Sequence, residues 1–437
     1  MTLAIHGGNP VRTRPFPRHR TIGSEEKEAV CRVLDSGVLS KYLGCWHEDF
    51  MGGHEVRALE EEWAAYFGAR HAIAVNSCTS GLFCAVGAIG TEPGDEIIVP
   101  PYTMSATAVA PLIYNAVPVF ADIEADCFCL DPKEVEKKIT KRTRAIMVVD
   151  LFGQPSDAEG IHALARKNGL HVIEDTAQAP GALYQGKPAG TLGHIGVFSL
   201  NYHKHIHCGE GGVVVTDDDT LAERIRLIRN HGESVVEGMG TANLVNMVGF
   251  NFRMTEMEAA VARCQLHKLE GLLEKRLENC RYMTEGLSQI PAITAPVIRE
   301  NCRHAFYVHA CKFDETLAGV SRNTFMDAVK AELPCTEGRE SEGVKIGCGY
   351  VKPLYLLPLF QQKIAHGSGH FPFTSPWNPS VPDYGKGSCP VCEDLHEKTL
   401  FTHELMLPSM EKADMDDVLR AFTKVWEARD QLKGNIK

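Results

Sequence analysis

Phe198-Ser199-Leu200-Asn201-Tyr202-His203-Lys204-His205-Ile206-His207-Cys208-Gly209-Glu210-Gly211-Gly212 sets one lysine between an aromatic, apolar run and a Gly-rich turn. That lysine does not fit a solvated helix face; it sits where a strand gives way to a loop. Withdrawal from water lowers the pKa of an ammonium group, so part of the population is a neutral amine able to condense with an aldehyde. An ordinary exposed loop lysine is the competing reading, and the residues upstream bear on the choice.

Asn76-Ser77-Cys78-Thr79-Ser80-Gly81 follows a short apolar run and opens a helical one. Free backbone N–H groups at a helix N-terminus, joined by the hydroxyls of Thr79 and Ser80, make a phosphate cradle. Simple N-capping by either hydroxyl accounts for the same residues. Ile173-Glu174-Asp175-Thr176-Ala177-Gln178 ends another apolar run. In an α/β sheet ligands bind at the carboxyl ends of strands, so Asp175 either pairs with a protonated ring nitrogen or only caps the strand end. A phosphate cradle, an acid for a pyridinium nitrogen and an amine for an aldehyde are together what pyridoxal phosphate requires.

The surrounding chain supplies the scaffold for such a set. Short apolar runs at 72–75, 97–99, 117–121, 145–149, 171–174, 197–199 and 213–216 alternate with helical segments such as 157–168 and 218–230. This alternation predicts an α/β domain whose mostly parallel sheet is covered on both faces. Ser24 with Glu25 and Glu26 marks a helix start, and Val56, Leu59, Trp63 and Phe67 recur at helical spacing over 54–67 before Gly68. Residues 41–53, rich in aromatics and Gly, form a loop that is a lid or plain packing. A long helix or broken pair spans 254–289, Pro and Gly cluster over 352–390, and a helix closes the chain at 414–432. The expected division is a large domain over 1–289 and a smaller C-terminal α+β domain over 290–437.

With 437 residues the chain exceeds what one core usually organises. Its 44% hydrophobic and 23% charged residues and net charge of −11 describe an ordinary globular protein. Intermixed charges give no footprint for nucleic acid or an anionic membrane, and leave an anionic small molecule open. No signal-peptide pattern or membrane-length apolar run is present, so the expected location is the cytoplasm. Fifteen cysteines, including Cys78, Cys84 and Cys264 in apolar segments, are expected as buried reduced thiols. Cys389 and Cys392 share a CxxC spacing without a second pair, which favours packing over zinc or redox chemistry.

These motifs resemble the DegT/DnrJ/EryC1/StrS family, the fold-type I, pyridoxal-phosphate-dependent sugar and cyclitol aminotransferases. The resemblance runs from Gly7-Gly8-Asn9-Pro10-Val11-Arg12 to Gly249-Phe250-Asn251-Phe252-Arg253 and resumes at Cys389-Pro390-Val391. It rests most on Ile173-Glu174-Asp175, Phe198-Ser199, Lys204 and Gly209-Glu210-Gly211-Gly212, in that order. The resemblance implies that Lys204 carries pyridoxal 5'-phosphate covalently and serves as the catalytic base. It further implies that Asp175 keeps the pyridine nitrogen protonated, that Gln178 lies near the phenolic side, and that Ser199, Thr79 and Ser80 bind the phosphate. Asn251 would reach the phosphate of a neighbouring subunit, which implies a homodimer with shared sites.

Two positions depart from the family pattern. Met104, in Pro101-Tyr102-Thr103-Met104-Ser105, stands where an aromatic residue usually stacks on the pyridine ring. A thioether can pack on a ring face, with Tyr102 the competing candidate. Cys78 occupies a position often held by Gly or Ala. His203, His205 and His207 alternate, and on a strand all three would share one face as a metal site would; the resemblance instead puts them in the loop presenting Lys204, with His203 or His205 facing substrate.

The resemblance implies amino transfer in two stages: an amino acid, glutamate or glutamine, displaces Lys204, whose amine then moves a proton from Cα. A keto-sugar or keto-cyclitol takes up the nitrogen by the reverse steps, in natural-product or surface-sugar biosynthesis. One rival is a dehydratase on the same cofactor, whose family relatives carry histidine in place of the lysine. The other is a non-catalytic regulator on the same fold. The loop at 41–53 and the region 352–390 are expected to choose the acceptor.

Overall fold

The computed structural model describes residues 2–433. Strands β1 (His71–Val75), β2 (Glu96–Val99), β3 (Val117–Phe120), β4 (Thr143–Val149), β5 (His171–Asp175), β6 (Ile195–Ser199) and β7 (Gly212–Thr216) build one sheet in the order β1-β7-β6-β5-β4-β2-β3. Pairs among β2 to β6 are parallel, and β7 runs antiparallel to both of its neighbours. All seven apolar runs therefore become strands of a single sheet, each within two residues of its expected ends.

Strand pleating explains why both faces are covered. Along β2, Ile97 and Val99 enter one core and Ile98 the other; along β4, Ala145, Met147 and Val149 oppose Ile146 and Val148. Helices α3 (Cys78–Ala88), α4 (Ala106–Ile113) and α7 (Asp219–Arg229) cover the first face. The other face is covered by α2 (His54–Phe67), α5 (Pro132–Lys138), α6 (Ala158–Asn168) and the first half of α8 (Glu256–Leu287).

The long 254–289 segment is one unbroken helix of 32 residues, about 48 Å long. Thr255 caps it, accepting from the Glu258 N–H while the Glu258 carboxylate accepts from the Thr255 N–H. Ala259, Ala262, Leu266 and Leu269 belong to the core of the large sheet, whereas Cys280, Met283 and Leu287 belong to a second core. That second core is built on a four-stranded antiparallel sheet of Ile293–Thr294, His309–Phe313, Ile346–Cys348 and Leu400–His403, with helices Arg322–Ala331 and Lys412–Glu427 against it. Leu3 and Phe16 of the N-terminal segment also enter it, and Leu354, Tyr355, Phe360, Tyr384, Cys389 and Cys392 enter the first core.

The region 352–390 is anchored at both edges of the large sheet. Leu354 N–H bonds to the Pro101 carbonyl beyond the carboxyl end of β2. Farther along, His366 bonds to Leu112 at the end of α4, Ser380 accepts from Arg142 ahead of β4, and Tyr384 donates to Pro118 near the start of β3. These anchors hold residues 366–384 across the outer strand β3 toward the amino ends of the strands, opposite Asp175 and Ser199. No helix among the described residues is long and apolar enough to cross a membrane.

Candidate active site

Strand register brings the predicted residues to one edge. Ser199 and Val75 both pair with Gly212, and Asp175 pairs with Val149 on one side and Val197 on the other. A Cβ on Gly212 would sit 2.7 Å from the Cys78 nitrogen and 2.9 Å from the Phe198 carbonyl oxygen. The missing side chain thus lets β7 begin directly against the N-terminus of α3.

The cap of α3 is Ser77, not Thr79 or Ser80: its Oγ accepts from the Ser80 N–H at 3.0 Å. The Ser80 hydroxyl is buried and donates to Asn76 Oδ1 at 2.6 Å, while Thr79 is exposed. Among the described residues the N–H groups of Cys78 and Thr79 have no acceptor. Two open donors at the positive end of a helix of 11 residues fit a phosphate. Ser199 is buried beside them, and its Oγ accepts from the Asn201 N–H at 3.3 Å.

Asp175 is buried and receives three donors. Thr107 Oγ1 donates at 2.8 Å, the Ala177 N–H at 3.2 Å, and the Cys78 thiol lies at 3.9 Å. Burial pushes its pKa up, while the Thr107 and Ala177 bonds and the Lys204 charge pull it down. A carboxylate so placed fits a ring N–H. Lys204 is partly buried; burial lowers its pKa, and the Cys78 and Asp175 side chains act in the opposite direction. Its amine lies over the Tyr307 ring, 4.6 Å from the centroid.

Gln178 is engaged at both ends, accepting from the Phe152 N–H at 2.8 Å and donating to the Tyr350 hydroxyl at 3.0 Å. Tyr102 is fully buried, with its ring edge-to-face to Tyr350 and near His396. No face of it is open to a ligand ring. Met104 is 61% exposed at the start of α4, free to cover one. Asn251 is exposed, bridged to Asn230, and its carbonyl lies near Asn76 of its own chain.

The three histidines do not share a strand face. Past an isolated bridge at Asn201 the backbone turns, so His205 is buried with Nε2 donating to the Ala305 carbonyl at 2.9 Å, while His203 is exposed. His205 thus supports the lysine loop from behind and does not face substrate. Among the described residues no group of three or more His, Cys, Asp or Glu side chains could hold a metal ion. Cys84, Cys389 and Cys392 are buried and unbridged; Cys78 and Cys264, expected buried, are only partly so. The loop at 41–53 is anchored at Tyr42, Leu43 and Phe50, where Asn230 donates to the Leu43 and Phe50 carbonyls and Tyr42 lies over the Arg229 guanidinium, while residues 43–48 are exposed.

Thr107, Tyr307 and Tyr350 escaped the sequence reading. Thr107 follows Met104 by one helical step and carried that signal; Tyr307 and Tyr350 lie in irregular segments of the second half, where no periodicity singles them out.

A model of the DegT/DnrJ/EryC1/StrS aminotransferase family matches residues 21–382. The chain is 33% identical over 416 residues to the spore coat polysaccharide biosynthesis protein SpsC of Bacillus subtilis, covering 94% of this chain and 96% of that one. It is 32% identical over 434 residues to the L-glutamine:2-deoxy-scyllo-inosose aminotransferase of Streptomyces lividus, covering 97% of each. Among solved structures, the aminotransferase from Psychrobacter cryohalolentis matches with a TM-score of 0.79 at 28% identity, over 95% of this chain and 99% of that one. The chain belongs to the DegT/DnrJ/EryC1/StrS aminotransferase family and is a pyridoxal-phosphate-dependent aminotransferase.

Proposed function

We propose that this aminotransferase moves an amino group from L-glutamine or L-glutamate to the ketone of a cyclitol or sugar. The observation that carries the reading is the convergence of Lys204, Asp175 and the open N–H groups of α3 at one sheet edge. The donor and acceptor class follow from similarity to the L-glutamine:2-deoxy-scyllo-inosose aminotransferase across nearly the whole chain.

Pyridoxal phosphate, when bound, supplies an aldehyde that captures amines and a ring that accepts the electron pair left at the donor's Cα. The chain's own residues do the rest. The Cys78 and Thr79 N–H groups, with the Thr79 and Ser199 hydroxyls, hold the phosphate. Ser80 braces the cap of α3. Asp175, fixed by Thr107 and Ala177, keeps the proton on the ring nitrogen. Met104 covers one ring face, and Gln178 approaches the phenolic side through its remaining amide proton. Displaced by the donor, the Lys204 amine would take the proton from the donor's Cα and deliver it across the intervening nitrogen to the cofactor's former aldehyde carbon.

We propose also that the active unit is a homodimer. Val38, Leu39, Leu43, Trp46, Leu244, Val245 and Val248 are all exposed, and their two segments both bond to the turn at 230–234, Leu43 and Gly44 accepting from Asn230 and Ser234 and Gly249 donating to Glu233. Contiguous exposed apolar surface marks an interaction face, and Asn251, three residues from Val248, stands beside it, ready to reach a second copy's phosphate.

Mixing the cofactor-loaded protein with L-glutamine or L-glutamate is expected to convert its absorbance to that of the pyridoxamine form and release a 2-oxo acid; keto-cyclitols or keto-sugars then restore it. A spectrum indifferent to both amino acids would overturn the reading. Lys204→Ala is expected to abolish both the covalently held cofactor and turnover.

A further inference from the structure

The ring of Tyr307 lies opposite the Lys204 amine, 4.6 Å from its centroid. Among the described residues that amine forms no hydrogen bond and no ion pair. The Asp175 carboxylate and the Cys78 thiol act on that charge only through space, without an ion pair, and a partly buried ammonium so placed is costly unless a further group meets its charge. The negative face of a tyrosine ring is such a group, and its attraction grows as water is excluded.

The ring is fixed from several sides. The Tyr307 N–H donates to the Phe152 carbonyl at 2.7 Å, and Arg276 Nη1 donates to the Tyr307 carbonyl at 3.2 Å. Its ring stands 6.1 Å from that of His205, which is itself anchored to Ala305. Phe152 sits at φ 59°, a left-handed backbone unusual for a bulky side chain. In that conformation its N–H donates to Gln178 Oε1 while its carbonyl accepts from the Tyr307 N–H. One residue, Phe152, therefore ties the segment bearing Tyr307 to the residue proposed for the phenolic side of the cofactor.

We propose that the Tyr307 ring is the positioning residue for Lys204: once the freed amine has taken up a proton, the ring face holds the resulting ammonium in place until the proton is passed on. This rests on the reading that Lys204 is the cofactor's lysine. A lysine freed by the donor must neither drift into solvent nor lock into an ion pair. The ring holds its charge without providing a base that would take the proton away. Tyr307 acts through its π face, so the phenolic hydroxyl is dispensable.

The test uses the full chain loaded with pyridoxamine 5'-phosphate, in which the Lys204 amine is free. The pKa of Lys204 is read from the pH dependence of its acetylation by acetic anhydride, followed by mass spectrometry of the peptide that contains it. Tyr307→Phe keeps the ring and is expected to leave that pKa unchanged. Replacing Tyr307 by 3,4,5-trifluorophenylalanine, close to Phe in shape but with a depleted ring face, is expected to lower it by up to about one unit, a tenfold change in proton affinity. The first half-reaction with L-glutamine is expected to shift its pH profile by the same amount. A pKa identical in the Phe and trifluoro variants overturns the proposal. Failure of the underlying reading is separate: borohydride reduction of the pyridoxal form would then fix the cofactor to a residue other than Lys204.

Discussion

Thr107 Oγ1 donates a 2.8 Å hydrogen bond to Asp175 Oδ2, and both residues are buried. Helix α4 thus reaches across the carboxyl edge of the sheet to hold the carboxylate at the end of β5. Burial drives the Asp175 pKa up, and the Thr107 bond is the largest of the influences pulling it back. Thr107→Val keeps the shape and removes the donor. A hydrogen bond to a charged group contributes about 1.5–3 kcal/mol, so the variant is expected to lose roughly tenfold or more in cofactor affinity and in kcat. Thr107→Ser should restore most of both, as measured by cofactor titration and steady-state kinetics.

Met104 is open to solvent, so replacing it changes stability little, within about 0.5 kcal/mol for a surface site. If its thioether covers the cofactor ring, Met104→Ser weakens retention of the cofactor several-fold and Met104→Phe strengthens it. Equilibrium dialysis against pyridoxal phosphate checks this, with unchanged melting temperatures as the control. Equal affinities in all three proteins would remove Met104 from the site.

Val248 is 72% exposed on the apolar face proposed to meet a second copy. Val248→Glu places a charge there and is expected to shift the protein from dimer to monomer in sedimentation velocity. Activity should fall with it and recover at high protein concentration, because Asn251 then again reaches a second copy.

Four buried histidines, His205, His304, His309 and His403, bear on acid stability. His304 Nδ1 accepts from the Phe306 N–H at 2.8 Å, and His403 Nδ1 accepts from the Leu405 N–H at 3.2 Å. Both bonds need a neutral acceptor. His309, packed at 4.7 Å from the His403 ring, bonds to Thr284 Oγ1 at 2.9 Å. Burial depresses His304 and His309 to about 3, and His205 and His403 well below their usual value. The unfolded chain takes up these protons near pH 6.5 whereas the folded chain resists them. The stability they contribute is therefore full above pH 6.5 and drains away as pH falls toward 3. His304 and His309 together are expected to cost about 2 kcal/mol between pH 6.5 and 5.5, measured as a lowered urea midpoint. His309→Asn should flatten that dependence.

The α/β layering was legible because it depends on local periodicity. Runs such as 97–99 and 145–149 carry the two-residue alternation that later divides between two cores, and 54–67 carries the helical one. Capping was less legible: Ser77, Thr79 and Ser80 are all competent, and only the backbone at Ser77, extended at φ −167°, selects it. The alternation at 203–207 is not a strand signal, as the resemblance had implied, since a period of two has strand meaning only where the backbone is extended, and here it turns.

By itself the sequence determined the sheet's seven strands, the helix that opens at the phosphate candidate 76–81, and the order Asp175, Ser199, Lys204. These depend on which side chains neighbour one another along the chain. Only the tertiary structure decided that Thr107 would brace Asp175, that Tyr307 would face Lys204, and that 366–384 would lie at the edge remote from both. Those contacts join segments separated by scores of residues through irregular backbone. Side-chain burial and unpaired donors in the packed state select them, and neither leaves a repeating mark in the order of residues.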